Sequence, residues 1–241
     1  MLQKLRKRFW NRTIGIEIMK LCRDSNNPDY PNHQDCQNYP NIEALMDEGE
    51  PVCISLCNDK GKTSDLLYCE LVHKARNGES FLIEDQRCRP GKFILGISED
   101  SPADYYLKSN RYKDEKTAKK AVDSLPRIEQ EYRSLKIEPL GKNAGKFDVL
   151  LLYLKPESAM KIIQAYAFHF GEGITSRSIG ATSICGDCTA RVLKEGIGIS
   201  YGCKGSRKHS GYANEEVPIG IAYSMLQEIE EGLKNIPATF D

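Results

Sequence analysis

Apolar residues fall in short runs along this chain, separated by turn residues, and the spacing within each run predicts its element. Residues 2–12 read as a short basic helix, and 13–19 as a strand, with Ile14, Ile16 and Ile18 alternating. A polar loop over 22–40 follows, holding His33 and Cys36. The spacing predicts a strand over 52–57, a turn over 58–63, and a helix over 65–76 with Asp65 near its start and Gly78 beyond its end. A strand over 80–84, a turn at Cys88-Arg89-Pro90-Gly91 and a strand over 92–97 come next. Ser101-Pro102 has the form of a helix cap followed by proline at the first helical position.

Residues 108–136 are charged and helix-prone, with a break at Pro126, and 136–146 carry Pro139, Gly141 and Gly145 as a linker would. Residues 147–154 form the most apolar strand. Over 156–170, Ala159, Ile162, Ile163, Tyr166, Ala167 and Phe170 recur at helical spacing. A strand is predicted over 174–179, and helices over 187–195 and 221–233. The expected class is α+β: mixed sheets with flanking helices, in two related halves. The expected units are an N-terminal helix, strand and cysteine loop over 1–44, a first half over 45–140 and a second over 141–241, the two halves forming one compact body.

Composition narrows the function. The 241 residues are 40% hydrophobic and 28% charged, which is ordinary for a globular chain. With 34 basic and 34 acidic residues the net charge is zero, so no nucleic-acid partner is expected. No run reaches the roughly 18 apolar residues of a membrane span. No apolar signal core follows the basic residues 1–8, and the expected compartment is the cytoplasm. Nine cysteines are the unusual feature: Cys22, Cys36, Cys53, Cys57, Cys69, Cys88, Cys185, Cys188 and Cys203. In a reducing compartment such thiols are expected to be buried, metal-bound or redox-active rather than paired.

A coarse repeat organises them. Cys69 heads a helix that is followed by Gly78, a strand, and Cys88 before Arg89-Pro90-Gly91-Lys92. Cys185 heads a helix followed by Gly196, a strand, and Cys203 before Lys204-Gly205-Ser206-Arg207. The two intervals are 19 and 18 residues, and each unit then reaches an apolar strand, 93–97 in one and 217–221 in the other. A pseudo-twofold axis between the halves would bring Cys69, Cys88, Cys185 and Cys203 onto one site. Four thiolates there would suit a [4Fe–4S] cluster with an electron-transfer or redox role, and Zn would accept the same set.

Other readings stay open beside it. Cys188 is a candidate extra ligand, or with Cys185 a thiol pair for redox or sulfur chemistry. If only three cysteines bound the cluster, an open iron could serve an enzyme. Lys204, Gly205, Arg207 and His209 could grip a small anionic ligand, which a zinc-stabilised module would also do. Expected partners are accordingly a redox protein or a small anion. Cys53 and Cys57 share a strand face and are expected in the core. Gly61-Lys62-Thr63 lacks the upstream glycine of a phosphate-binding loop, Leu56 standing in its place.

Cys69 with Ala75 and Gly78, Cys88 with Gly91 and Leu95-Gly96, Phe147-Asp148-Val149-Leu150, Ser183-Ile184-Cys185 and Gly202-Cys203 through Arg207 together carry a resemblance. Over roughly residues 45–235 the chain resembles the domain-of-unknown-function family 169, found in archaea and many anaerobic bacteria. The resemblance implies no established reaction. It implies that Cys88, Cys185 and Cys203 belong to the family pattern, with Cys69 nearby, while Cys188, Cys53, Cys57 and the 22–40 loop are particular to this chain or a subgroup.

Overall fold

Val149–Leu154 is buried at all six positions, and the sheet is built outward from it. The structure, a computed structural model, describes residues 50–143 and 145–236; the expected elements over 1–44, with Cys22, His33 and Cys36, lie outside them. Seven strands form one sheet: β1 (Val52–Cys57), β2 (Lys62–Thr63), β3 (Phe81–Asp85), β4 (Ser134–Pro139), β5 (Val149–Leu154), β6 (Ile197–Ile199) and β7 (Val217–Ala222). Their order is β2-β3-β4-β1-β5-β7-β6. Beyond the short parallel pair β2–β3, all pairings are antiparallel.

With β2 set aside, that order reads the same from either end. Matching β1 to β5, β4 to β7 and β3 to β6 maps one half onto the other, and the two halves join where Val52 pairs Leu151 and Ile54 pairs Val149. An antiparallel pair at the centre is what a twofold axis normal to the sheet requires. Such an axis leaves each half's cysteine segments on the same face, which is how the repeat in sequence becomes a site in space.

The period-two alternation of strand side chains divides the core. On one face Val52, Ile54, Leu135, Ile137, Val149 and Leu151 pack under α1 (Tyr68–Arg76) and a π-helical segment, Ser183–Ala190, continued by α6 (Arg191–Glu195). On the other face Cys53, Leu150, Leu152 and Leu154 pack under α5 (Pro156–Phe170) and α8 (Leu226–Asn235). Burying each of these large aliphatic side chains contributes roughly 1.5–3 kcal/mol. No helix of the described residues is long and apolar enough to cross a membrane.

Several elements depart from the pattern-based reading. Residues 92–97, expected as a strand, contribute to α2 (Arg89–Ile94): Pro90 sits in its first turn and the Cys88 thiol accepts the Gly91 N–H. The strand matching β7 is therefore β4, separated from α2 by a helical insertion, α3 (Ala103–Lys108) and α4 (Glu115–Asp123). β4 occupies residues expected in a helix-prone stretch and a linker. Leu135 and Ile137 are fully buried, while Glu138 is buried against Lys136 and Asn143, a pairing that polar residues and Pro139 conceal. Residues 174–179 adopt no regular structure, and the last helix starts at Leu226 because β7 runs on to Ala222.

Candidate functional site

Four thiols meet on the first face, one from each of four segments. Cys69 lies in the first turn of α1, Cys185 in the π-helical segment, and Cys88 and Cys203 at the N-caps of α2 and of α7 (Lys204–His209). Burial raises the Cys69 thiol to about 12, with charge on Cys203 and Cys88 adding to it. Burial likewise raises Cys88, and Cys203 adds to it. Cys185 is pushed well above its ordinary value by burial, then by Cys88, Cys203 and Cys69. The segments that carry them also pack on one another: α1 touches α7 and the π-helical segment, and that segment touches α2.

Local structure aims backbone N–H groups at two of the sulfurs. Gly91 donates to Cys88 Sγ at 3.4 Å and Ser206 to Cys203 Sγ at 3.3 Å. Ser206 Oγ accepts the Cys203 N–H at 2.8 Å, so cysteine and serine form a reciprocal capping box. That box starts the helix over Lys204–His209. Gln86 braces the other corner: its Oε1 accepts from the Cys88 N–H at 2.7 Å and its Nε2 donates to Cys88 O at 2.9 Å.

The segment bearing Cys185 is wound with a five-residue step, Asp187 N–H to Thr182 O at 3.2 Å. Its backbone lies directly against β6 and β7. A Cβ on Gly198 would collide with the Asp187 carbonyl, and one on Gly220 with the Cys188 carbonyl. Asp187, fully buried, accepts from Ser200 Oγ at 2.7 Å and so ties the same segment to the strand that leads to Cys203.

Around the thiols stands a mainly aromatic shell. Tyr68 donates to or accepts from Thr189 at 3.0 Å. Tyr106, 1% exposed, feels the charges of Cys185, Cys88 and Cys203, and Arg111 stacks 5.2 Å from its ring. Arg111 also bears on Cys88, opposing the upward shift that burial causes. Ser210 is fully buried with its Oγ near the Cys69 thiol, which it makes more acidic, and among the described residues it has no hydrogen-bond partner. Its position is held from both sides: His209 Nδ1 lies 3.0 Å from Glu70, and the His73 ring fills the space a Cβ on Gly211 would need.

The remaining candidates are placed elsewhere. Cys188 donates to Pro218 O at 3.4 Å and is not coupled to the other thiols; the structure gives it a packing role against β7 rather than a fifth place in the site. Cys53 is buried in the opposite core, and Cys57 is half-buried on the same strand. Arg207 does not reach for an anion: its guanidinium donates to the carbonyls of Tyr201, Ala213 and Asn214 and stacks 4.6 Å from the Tyr212 ring. His209 is engaged with Glu70. Lys204 is exposed and Gly205 half-buried beside Cys203.

Sequence reasoning missed Tyr106, Arg111, Gln86 and Ser210. The helical insertion brings in Tyr106 and Arg111 and the turn after α7 brings in Ser210, while Gln86 stands two residues before Cys88 with no motif to mark it. Among the described residues, no three His, Cys, Asp or Glu side chains converge closely enough to hold a single metal ion.

Comparison with known proteins agrees with the extent of this fold. A family model for DUF169, described as an uncharacterised ArCR family, matches residues 42–232. A curated protein of Methanocaldococcus jannaschii, itself described as uncharacterised, is 28% identical over 177 residues, 70% of this chain and 76% of its own length. No solved structure matches the chain.

Proposed function

We propose, for a chain that belongs to the DUF169 family, that Cys69, Cys88, Cys185 and Cys203 hold a [4Fe–4S] cluster and that the protein passes single electrons. The observation that carries this reading is the packing of the four cysteine-bearing segments on one face of the sheet, α1 against α7 and the π-helical segment and that segment against α2, with backbone N–H groups aimed at Cys88 and Cys203.

The surroundings fit such a group. A single tetrahedral zinc needs its thiolates about 3.8 Å apart, given Zn–S bonds of about 2.3 Å. The N–H groups of Gly91 and Ser206 stabilise thiolate charge on Cys88 and Cys203, and the orphaned Ser210 hydroxyl is placed to do so for Cys69. Tyr68, Tyr106 and the sheet beneath keep water from much of the site. When bound, the cluster supplies a one-electron couple; the protein's part is to hold four deprotonated sulfurs in place and set their hydrogen bonding. The anion-gripping alternative loses support because Arg207 is spent on backbone carbonyls.

Anaerobic purification with iron, sulfide and zinc analysis tests this. The expected result is a brown protein with about four iron and four sulfide per chain and a broad visible absorption lost on reduction. A colourless protein with one zinc per chain would overturn the reading.

A further inference from the structure

One side chain joins the start of α1 to the cap of α2. Gln86 is 1% exposed and stands just past the end of β3. Its Oε1 accepts from the Tyr68 N–H at 3.3 Å and from the Cys88 N–H at 2.7 Å, and its Nε2 donates to the Cys88 carbonyl at 2.9 Å. The first of these backbones belongs to the residue before Cys69, the others to Cys88 itself. Tyr68 opens α1, so its N–H has no partner within the helix and takes one from Gln86 instead. A Cβ on Gly91 would stand 2.8 Å from Nε2, so the first turn of α2 closes directly over the amide.

The backbone around Gln86 is itself held. The Ser64 N–H donates to the Asp85 carbonyl at 3.0 Å and the Arg87 N–H to the Leu66 carbonyl at 3.1 Å, which ties the turn after β3 to the turn before α1 on both sides of Gln86. Asp85 Oδ1 accepts the Gln86 N–H at 2.7 Å, and Asp85 Oδ2 meets Lys92 Nζ of α2 at 2.8 Å. A buried amide anchored in this way is rigid, and the backbones it bonds share its position. The second half uses other means: Ser206 caps the Cys203 turn, and Asp187 ties the Cys185 segment to Ser200.

We propose that Gln86 is a positioning residue of the thiol site, fixing where Cys69 and Cys88 stand relative to each other so that the two thiols of the first half are presented as one unit. This role goes beyond the cluster reading and does not rest on it, because it belongs to the metal-free chain. Loosening Gln86 releases Cys69 and Cys88 together and leaves Cys185 and Cys203 as they were.

The test is anaerobic alkylation of the full chain by iodoacetamide after a chelator has removed any bound metal, with the rate at each cysteine read by mass spectrometry of its peptide. Gln86→Met keeps the length and burial of the side chain and makes none of its hydrogen bonds. In that variant Cys69 and Cys88 should react about tenfold faster than in the parent, since buried N–H groups are left unpaired in their turns. Cys185 and Cys203 should keep the parent's rates, as should the buried Cys53 and Cys188. Asp85→Ala, which removes the carboxylate that pins the Gln86 N–H, should raise the same two rates by less, and it provides the test if Gln86→Met does not fold. Unchanged rates at Cys69 and Cys88, a rise at Cys88 alone, or a uniform rise at every cysteine would overturn the proposal. A chain that carries no cluster leaves it standing, so metal analysis and alkylation fail separately.

Discussion

Cys88 and Cys203 occupy equivalent places in the fold. Each follows a strand, caps a six-residue helix, and accepts through Sγ the N–H three residues on, from Gly91 at 3.4 Å and Ser206 at 3.3 Å. The equivalence follows from the mirrored strand order about β1 and β5, and it makes these sulfurs the two best prepared to carry thiolate charge.

Ligand and non-ligand cysteines should separate cleanly. Replacing Cys69, Cys88, Cys185 or Cys203 by Ala is expected to abolish stoichiometric iron, read by metal analysis and the visible spectrum. Cys53→Ala and Cys188→Ala should retain it, at a stability cost of roughly 1 kcal/mol for a small buried truncation. Iron lost from Cys188→Ala with folding intact would reopen the ligand set.

The metal-free protein should be unusually sensitive to base. The Cys69 thiol titrates near about 12 when folded against 9.0 ordinarily, and burial moves Cys53, Cys185 and Cys188 the same way. Groups whose folded pKa is raised contribute their full stability below the unfolded value and lose it above. Each such thiol therefore removes roughly 1.4 kcal/mol per pH unit once pH passes 9. Denaturant titrations from pH 8 to 11 should show this slope in the apoprotein and a weaker one in the metal-loaded protein, where the sulfurs are already deprotonated.

Ser210→Ala should alter the centre without dismantling it. The hydroxyl is fully buried near Cys69 and has no hydrogen-bond partner among the described residues, so it is free to turn to that sulfur. If Cys69 holds a cluster, removing this donor should lower the midpoint potential; about 1.4 kcal/mol of lost hydrogen bonding corresponds to about 60 mV in a one-electron couple. Redox titration reads the shift, and Ser210→Thr should restore most of it. An unchanged potential with full iron content would deny Ser210 that role.

Gly220→Ala should displace the segment that carries Cys185. A Cβ there meets the Cys188 carbonyl, which is backbone and cannot swing aside. Overpacking of this kind costs about 3 kcal/mol, and the loss should appear as a lowered melting temperature together with poor iron retention. Gly145→Ala, with nothing within contact of its Cβ position, is the control and should leave both unchanged.

The candidate thiols are legible in the amino-acid sequence: the repeated pairing of a helix-heading cysteine with a second cysteine past a strand singles out Cys69, Cys88, Cys185 and Cys203. Strand β1 and helix α5 are legible too, because Val52–Cys57 and Pro156–Phe170 carry one strong pattern with clear ends. Strand β4 and the helices after Cys88 and Cys203 are not. Glu138 is buried through contacts with Lys136 and Asn143, and each short helix depends on a thiol acting as its cap. No local pattern records such partners.

The sequence by itself determined which residues alternate, which repeat and which can ligate a metal, since these depend on spacing and side-chain chemistry along the chain. Only the tertiary structure decided which segments pack on which. It set Cys188 against Pro218, spent Arg207 on three carbonyls, and brought Ser210 and Tyr106 to the cysteines. The reason is physical: proximity between distant segments is set by strand order and by which sheet face each side chain takes. Both emerge only when the whole core packs.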